Sequence, residues 1–202
     1  MSKGSHYDYK SRRFEDVSIW TQHTKIMASK ILSVIKDQNP KIFVELGTFQ
    51  GGITLAVHEK FPELEIYTFD RKNYSGDEIR KRIFGNNVHF FYGDILRLSQ
   101  EEKETSRRKE KTYFENDIDQ AETVIEILRN EQGKILLYCD NGKKVDEINM
   151  FSKYLKIEDI LGCHDWLAEV FPELIVEGIK DFKVLEGWPE DDHSRFWIKG
   201  RL

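Results

Sequence analysis

Cysteine and proline are scarce in this chain, with two of the first and four of the second in 202 residues. Cys139 and Cys163 are too few for a metal-binding quartet, and in a reducing compartment they read as buried thiols rather than a disulfide. No apolar run approaches the roughly 20 residues that span a bilayer, and the polar amino terminus has no signal-peptide core. The expectation is a cytoplasmic protein with no membrane association. Positive charge is not in excess either. There are 31 Lys and Arg against 36 Asp and Glu, a net charge of −5, dispersed along the chain, so nucleic acid is not an expected partner. What is present is 39% hydrophobic residues, enough for one core and a single domain over residues 1–202.

Strand and helix signals alternate, which points to an α/β fold with a mostly parallel sheet covered on both faces. A helix is expected over residues 14–38, with Met27, Ile31, Val34 and Ile35 on one stripe, and Asn39-Pro40 stops it. Residues 1–39 thus form an N-terminal helical extension. Strands are expected at 42–46, 65–69, 88–92, 134–139 and 159–163. Helices are expected at 53–60, near 77–84, over 118–130 with Ile118 on the apolar side, over 145–155, and after Trp166 with a break near Pro172. Two late strands, 183–186 and 195–199, suit an antiparallel hairpin at the sheet edge. Residues 97–117 contain an uninterrupted polar tract and read either as a lid or as a plain surface excursion.

The densest functional signal is Lys41-Ile-Phe-Val-Glu-Leu-Gly-Thr-Phe-Gln-Gly-Gly52, a hydrophobic strand entering a glycine-rich turn that opens a helix. Glycines there let the backbone turn sharply and let a ligand approach main-chain N–H groups. The spacing G-x-x-x-G-G is neither the dinucleotide fingerprint nor the Walker A loop. Glu45 interrupts the apolar strand and is costly to bury alone, so it is expected to meet backbone amides of the turn or an amino group of a cofactor.

In open α/β sheets ligands sit beyond the C-terminal ends of the strands, and here those ends carry acids. Asp70 ends the second strand about 20 residues past the glycine turn, where an acid can accept from ribose hydroxyls. A turn or helix-cap aspartate is the competing reading. Asp94 follows Gly93 after the third strand and is placed for an adenine amino group or for ordinary turn chemistry. Asp140 ends the fourth strand, and His164-Asp165 the fifth.

The E-x-G-x-x-x-G-G segment with these strand-end acids resembles the class I methyltransferases, over roughly residues 14–200. Within that class the chain is similar to small-molecule O-methyltransferases of the cephalosporin-hydroxylase-like and catechol types. The resemblance implies a Rossmann-like, doubly wound sheet of seven strands and S-adenosylmethionine held by Glu45, Gly47, Thr48, Gly51 and Gly52. It further implies Asp70 at the ribose, Asp94 at the adenine, and Asp140 with His164-Asp165 at the reaction centre. Two departures stand out. A histidine usual shortly after the strand-four aspartate is replaced by Asn141-Gly142-Lys143-Lys144, and a Gly-Gly before strand five is Glu158-Asp159.

Methyl transfer to oxygen needs alignment of a small-molecule acceptor and removal of its proton. Asp140, His164 and Asp165 are expected to converge. Asp140 and Asp165 could then ligate Mg²⁺, or His164 could act as the base without metal; purely structural roles as caps are the third reading. His6, His23, His58, His89 and His193 show no ligand spacing. A nucleotide-dependent dehydrogenase would call for a different glycine spacing and a further substrate domain. A catalytically silent binding protein of the same fold is harder to separate, although Glu45, Gly47, Asp70 and Asp140 together argue against decay. The pattern does not distinguish a monomer from a homo-oligomer.

Overall fold

The computed structural model describes residues 25–74, 83, 86–98, 118–186 and 193–201. The front of the first expected helix, nearly all of the helix expected near 77–84, most of the polar excursion and the turn at 187–192 lie outside the described residues. Helix α1, Lys25–Gln38, buries Met27, Ala28, Ile31, Val34 and Ile35 along one stripe. It stops where expected: Asn39 adopts a left-handed φ of 48°, its N–H donates to Ile35 O at 2.9 Å, and Pro40 cannot continue the ladder.

The strands follow the hydrophobic runs. They are β1 Ile42–Leu46, β2 Glu65–Asp70, β3 Val88–Tyr92, β4 Ile135–Cys139, β5 Ile160–Cys163, β6 Phe182–Val184 and β7 Arg195–Lys199. They form one seven-stranded sheet in the order β3-β2-β1-β4-β5-β7-β6. Neighbours among β1 to β5 are parallel, whereas β7 runs antiparallel to both β5 and β6. The expected C-terminal hairpin therefore forms, with its second strand wedged against β5 and its first strand at the edge. The order reverses between β1 and β4, which opens a crevice at their C-terminal ends.

Alternate residues of each strand feed opposite faces. Ile42, Val44, Leu46, Leu137, Cys139, Leu161 and Trp197 pack under α3 (Ala121–Asn130) and α4 (Lys144–Phe151), meeting Val124, Leu128, Ile148 and Phe151. Phe43, Ile66, Leu136, Tyr138, Ile160 and Phe196 pack on the other face under α1 and α2 (Gly52–Lys60), meeting Ile31, Val34, Leu55 and Val57. Full burial of each such side chain is worth about 1.5–3 kcal/mol, so both helical layers are held to the sheet chiefly by area. Cys139 and Cys163 are free, buried and cross-strand partners in β4 and β5.

Two local expectations are corrected. The helix expected to begin at Ile118 begins at Ala121. Ile118 is 54% exposed, because Asp119 pairs across to Asp94 and its carboxylate accepts from Ala121 N–H at 2.8 Å, turning the chain before the helix. No helix starts at Trp166 either. Asp165 and Leu167 have φ of 55° and 60°, and the N–H groups of Ala168, Glu169 and Val170 fold back onto Asp165 O. A tight turn results, followed only by the 3₁₀ turn Pro172–Leu174 and α5, Val176–Ile179. The helix expected over 145–155 is α4 plus the 3₁₀ turn Ser152–Tyr154.

Tight packing across β4, β5 and β7 centres on Gly162. A Cβ there would come within 2.5 Å of Phe196 Cε1 and 2.9 Å of Tyr138 Cδ2. Gly162→Ala is expected to lower unfolding free energy by about 1–3 kcal/mol, the usual cost of overpacking. Urea denaturation measures it, and adding Phe196→Leu should recover part of the loss; full stability in the single variant would contradict this packing.

Candidate active site

At the C-terminal edge of the sheet, backbone hydrogen bonds carry the strand alignment into the loops. Gly47 and Thr48 N–H groups both donate to Phe69 O, at 2.8 and 3.1 Å, and Asp140 N–H donates to Leu46 O at 2.7 Å. His164 N–H reaches Cys139 O at 3.2 Å. The ends of β2, β1, β4 and β5 thereby stand side by side. Gly47 is required at the centre: its φ is +110°, and a Cβ would lie 2.5 Å from Asp140 O. The turn then passes through Phe49 and Gly51, both left-handed at φ 47° and 78°, before α2 begins at Gly52. Thr48 and Gly52 are buried in the same turn.

Glu45 departs from expectation in its partners. Its Oε2 accepts from Thr54 Oγ1 at 2.5 Å and Thr68 Oγ1 at 2.6 Å, and Thr48 Oγ1 lies 2.6 Å from Thr68 Oγ1. Hydroxyls from β2, α2 and the glycine turn serve it rather than the turn's backbone amides. Register explains this, since Glu45 and Thr68 are cross-strand partners facing α2. Burial raises the Glu45 carboxyl from an ordinary 4.5 to about 8; the threonine hydroxyls oppose that rise, and the charges of Asp140 and Asp70 add to it.

Asp70 and Asp94 stand at their expected strand ends, and both carboxylates hold backbone. Asp70 Oδ2 accepts from Phe49 N–H and Oδ1 from Arg71 N–H, each at 2.6 Å, which clamps the glycine turn onto β2. Burial pushes Asp70 up to about 6, against the amides of Phe49 and Arg71 and the Arg71 charge. Asp94 accepts from Leu96 N–H at 2.9 Å and Leu98 N–H at 2.8 Å. Asp70 ends the strand next to β1, whereas Asp94 follows β3, one strand farther out.

Asp140, His164 and Asp165 do come together, with one ligating atom from each lying within 4.8 Å of the others. Asp140 Oδ1 is 3.1 Å from His164 Nδ1, and Asp165 Oδ2 is 3.4 Å from the same nitrogen. The other ring nitrogen, Nε2, lies 3.3 Å from Met27 Sδ on α1. Burial depresses the imidazole, but the Asp140 hydrogen bond and the charges of Asp140 and Asp165 outweigh it, and His164 is raised above 6.5.

The sequence reading missed Lys144, the first residue of α4. Its side chain is 5% exposed, and its Nζ sits 2.9 Å from Asp165 Oδ2, 2.8 Å from Glu169 Oε2 and 3.5 Å from Asp140 Oδ1. Burial would lower the ammonium, yet Asp140, Glu169 and Asp165 together raise it. A signal was present. A cation in the first turn of a helix opposes the macrodipole, so the pair Lys143-Lys144 following Asp140 called for nearby acids. Glu147 was missed too. It is fully buried with Oε1 unpartnered, and burial raises it to about 8.

The chain matches no protein-family model. Among solved structures it resembles a candidate caffeoyl-CoA O-methyltransferase from Staphylococcus aureus, at 13% identity over 89% of this chain and 86% of that one, with a TM-score of 0.64. It also resembles the methyltransferase PaMTH1 from Podospora anserina in its SAH-bound form, at 16% identity over 97% and 86% of the two chains, with a TM-score of 0.60. The third is the O-methyltransferase TomG from Streptomyces achromogenes in complex with SAM, at 9% identity over 89% and 82%, with a TM-score of 0.56. The chain has the Rossmann-like fold of the class I methyltransferases. Among the described residues no helix is long and apolar enough to cross a membrane.

The pH dependence of stability follows from Glu45. Between about pH 4.5 and 8 the folded chain keeps a proton there that the unfolded chain has released, so this group makes stability fall as pH rises through that window. Glu45→Gln removes the titration. It is expected to match the wild type near pH 5 and to exceed it at pH 8 by more than about 1.4 kcal/mol, the worth of one pKa unit. Chemical denaturation at both pH values measures this, and a pH-independent difference between the two proteins would contradict it.

Proposed function

We propose that the chain is an S-adenosylmethionine-dependent methyltransferase that methylates a hydroxyl of a small-molecule acceptor. The observation that supports it most is the juxtaposition, across one crevice, of the Gly47–Gly52 turn with the Asp140–His164 pair. The first is a ligand cradle and the second is base chemistry.

The residues present fit the cofactor. Gly47 and Gly51 hold the turn in left-handed backbone and carry no side chain at those two positions. Asp70 clamps that turn from the end of β2, and a carboxylate has about four acceptor positions, so Asp70 can serve backbone amides and still meet a ribose hydroxyl. Glu45, Gly47, Thr48, Gly51 and Gly52 would hold the amino-acid end, Asp70 the ribose and Asp94 the adenine. When bound, S-adenosylmethionine supplies an electrophilic methyl group on a sulfonium.

The chain's own contribution is orientation and proton removal. Asp140 takes the Nδ1–H of His164 and so fixes the tautomer in which Nε2 carries the lone pair. Nε2 accepts the acceptor hydroxyl's proton as the oxygen becomes nucleophilic. Met27 Sδ stands 3.3 Å from that nitrogen, so the acceptor enters by displacing a flexible thioether from α1. Asp140 stabilises the imidazolium formed in the step.

Calorimetric titration with S-adenosylmethionine and S-adenosylhomocysteine, with NAD and ATP as controls, tests the cofactor. Asp70→Ala should weaken S-adenosylhomocysteine by about 1.5–3 kcal/mol, the scale of hydrogen bonds to a charged group. Because Asp70 also holds Phe49 N–H, the variant should melt lower even without ligand. A lower melting temperature with wild-type affinity would leave Asp70 a purely structural role.

Turnover should rise with pH through a single ionisation, since His164 acts only when deprotonated. The limb should lie above 6.5, the ordinary imidazole value, because Asp140 and Asp165 favour the protonated ring. It should move down in Asp140→Asn and disappear in His164→Ala. An unchanged profile in both variants would remove His164 from the chemistry.

A further inference from the structure

The reaction centre holds more negative charge than a neutral hydrogen-bond network would. Asp140, Asp165 and Glu169 converge from the end of β4 and the turn after β5, and His164 adds an imidazole. Oxygen and nitrogen donors in that arrangement would suit a divalent cation, which takes oxygen ligands at roughly 2.0–2.6 Å. In this chain the middle of the arrangement is filled. Lys144 Nζ approaches all three carboxylates at 2.8 to 3.5 Å. Its side chain is nearly enclosed, at 5% exposure.

We propose that Lys144 is a tethered cation standing where a divalent metal would otherwise bind, so that Asp140, His164 and Asp165 form a metal-free centre. This rests on reading that centre as the methyl-transfer site. An ammonium carries three donors and one charge, enough to meet Asp140, Asp165 and Glu169 with one N–H each. A divalent ion would have to expel Nζ from the carboxylates that neutralise it, leaving a buried charge uncompensated. Metal and lysine therefore exclude each other. Tethering also changes the response to the medium. A chelator can strip a metal, whereas Lys144 is covalently part of α4 and holds Asp140 in place at all times.

The test measures Mn²⁺ and Mg²⁺ binding by equilibrium dialysis and by thermal shift, on wild type, Lys144→Ala and Lys144→Arg. Wild type and Lys144→Arg are expected to bind no ion at millimolar concentration and to melt alike with ion or chelator. Lys144→Ala should gain one Mn²⁺ site, with affinity raised at least about tenfold over wild type, and should lose it when Asp140→Asn is added. A Lys144→Ala protein that folds only with Mn²⁺ present counts as the same gain. One ion bound to wild type and lost in Asp140→Asn would overturn the proposal, whatever the lysine variants do. So would a folded Lys144→Ala protein with no cation affinity. Titrating S-adenosylhomocysteine into the same preparations keeps the two readings apart: failure to bind it would sink the cofactor assignment and leave the metal result standing.

Discussion

Everything at the C-terminal edge of the sheet depends on how closely the loops leaving β1 and β4 cross. At Gly47 the backbone comes so near the Asp140 carbonyl that a single added carbon would overlap it. Only glycine, in its left-handed conformation, lets the turn after β1 lie flat against the chain at Asp140. The order reversal between β1 and β4 creates the crevice, and the absence of a side chain at residue 47 keeps its two walls in contact. Gly51 then redirects the chain into α2, and Asp70 pins the intervening Phe49 amide. The glycine turn and the Asp140–His164 pair are thus two sides of one backbone contact.

The interior behind that contact is organised around carboxyl groups that the fold keeps out of water. Glu45 is sealed among threonine hydroxyls on the α2 face, while Glu147 is buried under the Asn141 amide on the α4 face. Each is pushed toward its neutral form by burial. Between them Asp140 is held by a lysine and a histidine. The protein therefore carries acids in three electrostatic conditions, pushed toward the neutral form within the core, ion-paired at Asp140 and amide-bound at Asp70 and Asp94. Their surroundings separate these conditions, since residue type alone would not.

Much of this was legible in the sequence where a strong local signal acted alone. The strand bounds fall within one or two residues of those expected, and Asn39-Pro40 ended α1 because a left-handed residue followed by proline cannot extend a helix. The convergence of Asp140 with His164-Asp165 followed from strand order. The failures came where tertiary contacts overrode local pattern. Trp166 looked like a helix start after an acid, but Asp165 itself turns left-handed to receive three amides. Ile118 fitted an apolar stripe, but Asp119 was drawn to Asp94. Lys144 drew notice only as part of the stretch standing where a histidine is usual, and only its place at a helix start, where a cation is disfavoured, hinted at the acids around it. Glu45 was recognised as costly to bury, yet its partners lay in the cross-strand register, which a one-dimensional reading does not contain.

Cys139 and Cys163 are the last residues of β4 and β5, paired in register and fully enclosed. Burial drives both thiols away from the reactive thiolate form. A soluble thiol reagent can modify them only when these two central strands part. The cysteines are therefore internal clocks: their labelling rate counts spontaneous openings of the sheet directly beneath Asp140 and His164, and its slowing on addition of a ligand would report how firmly that ligand closes the seam.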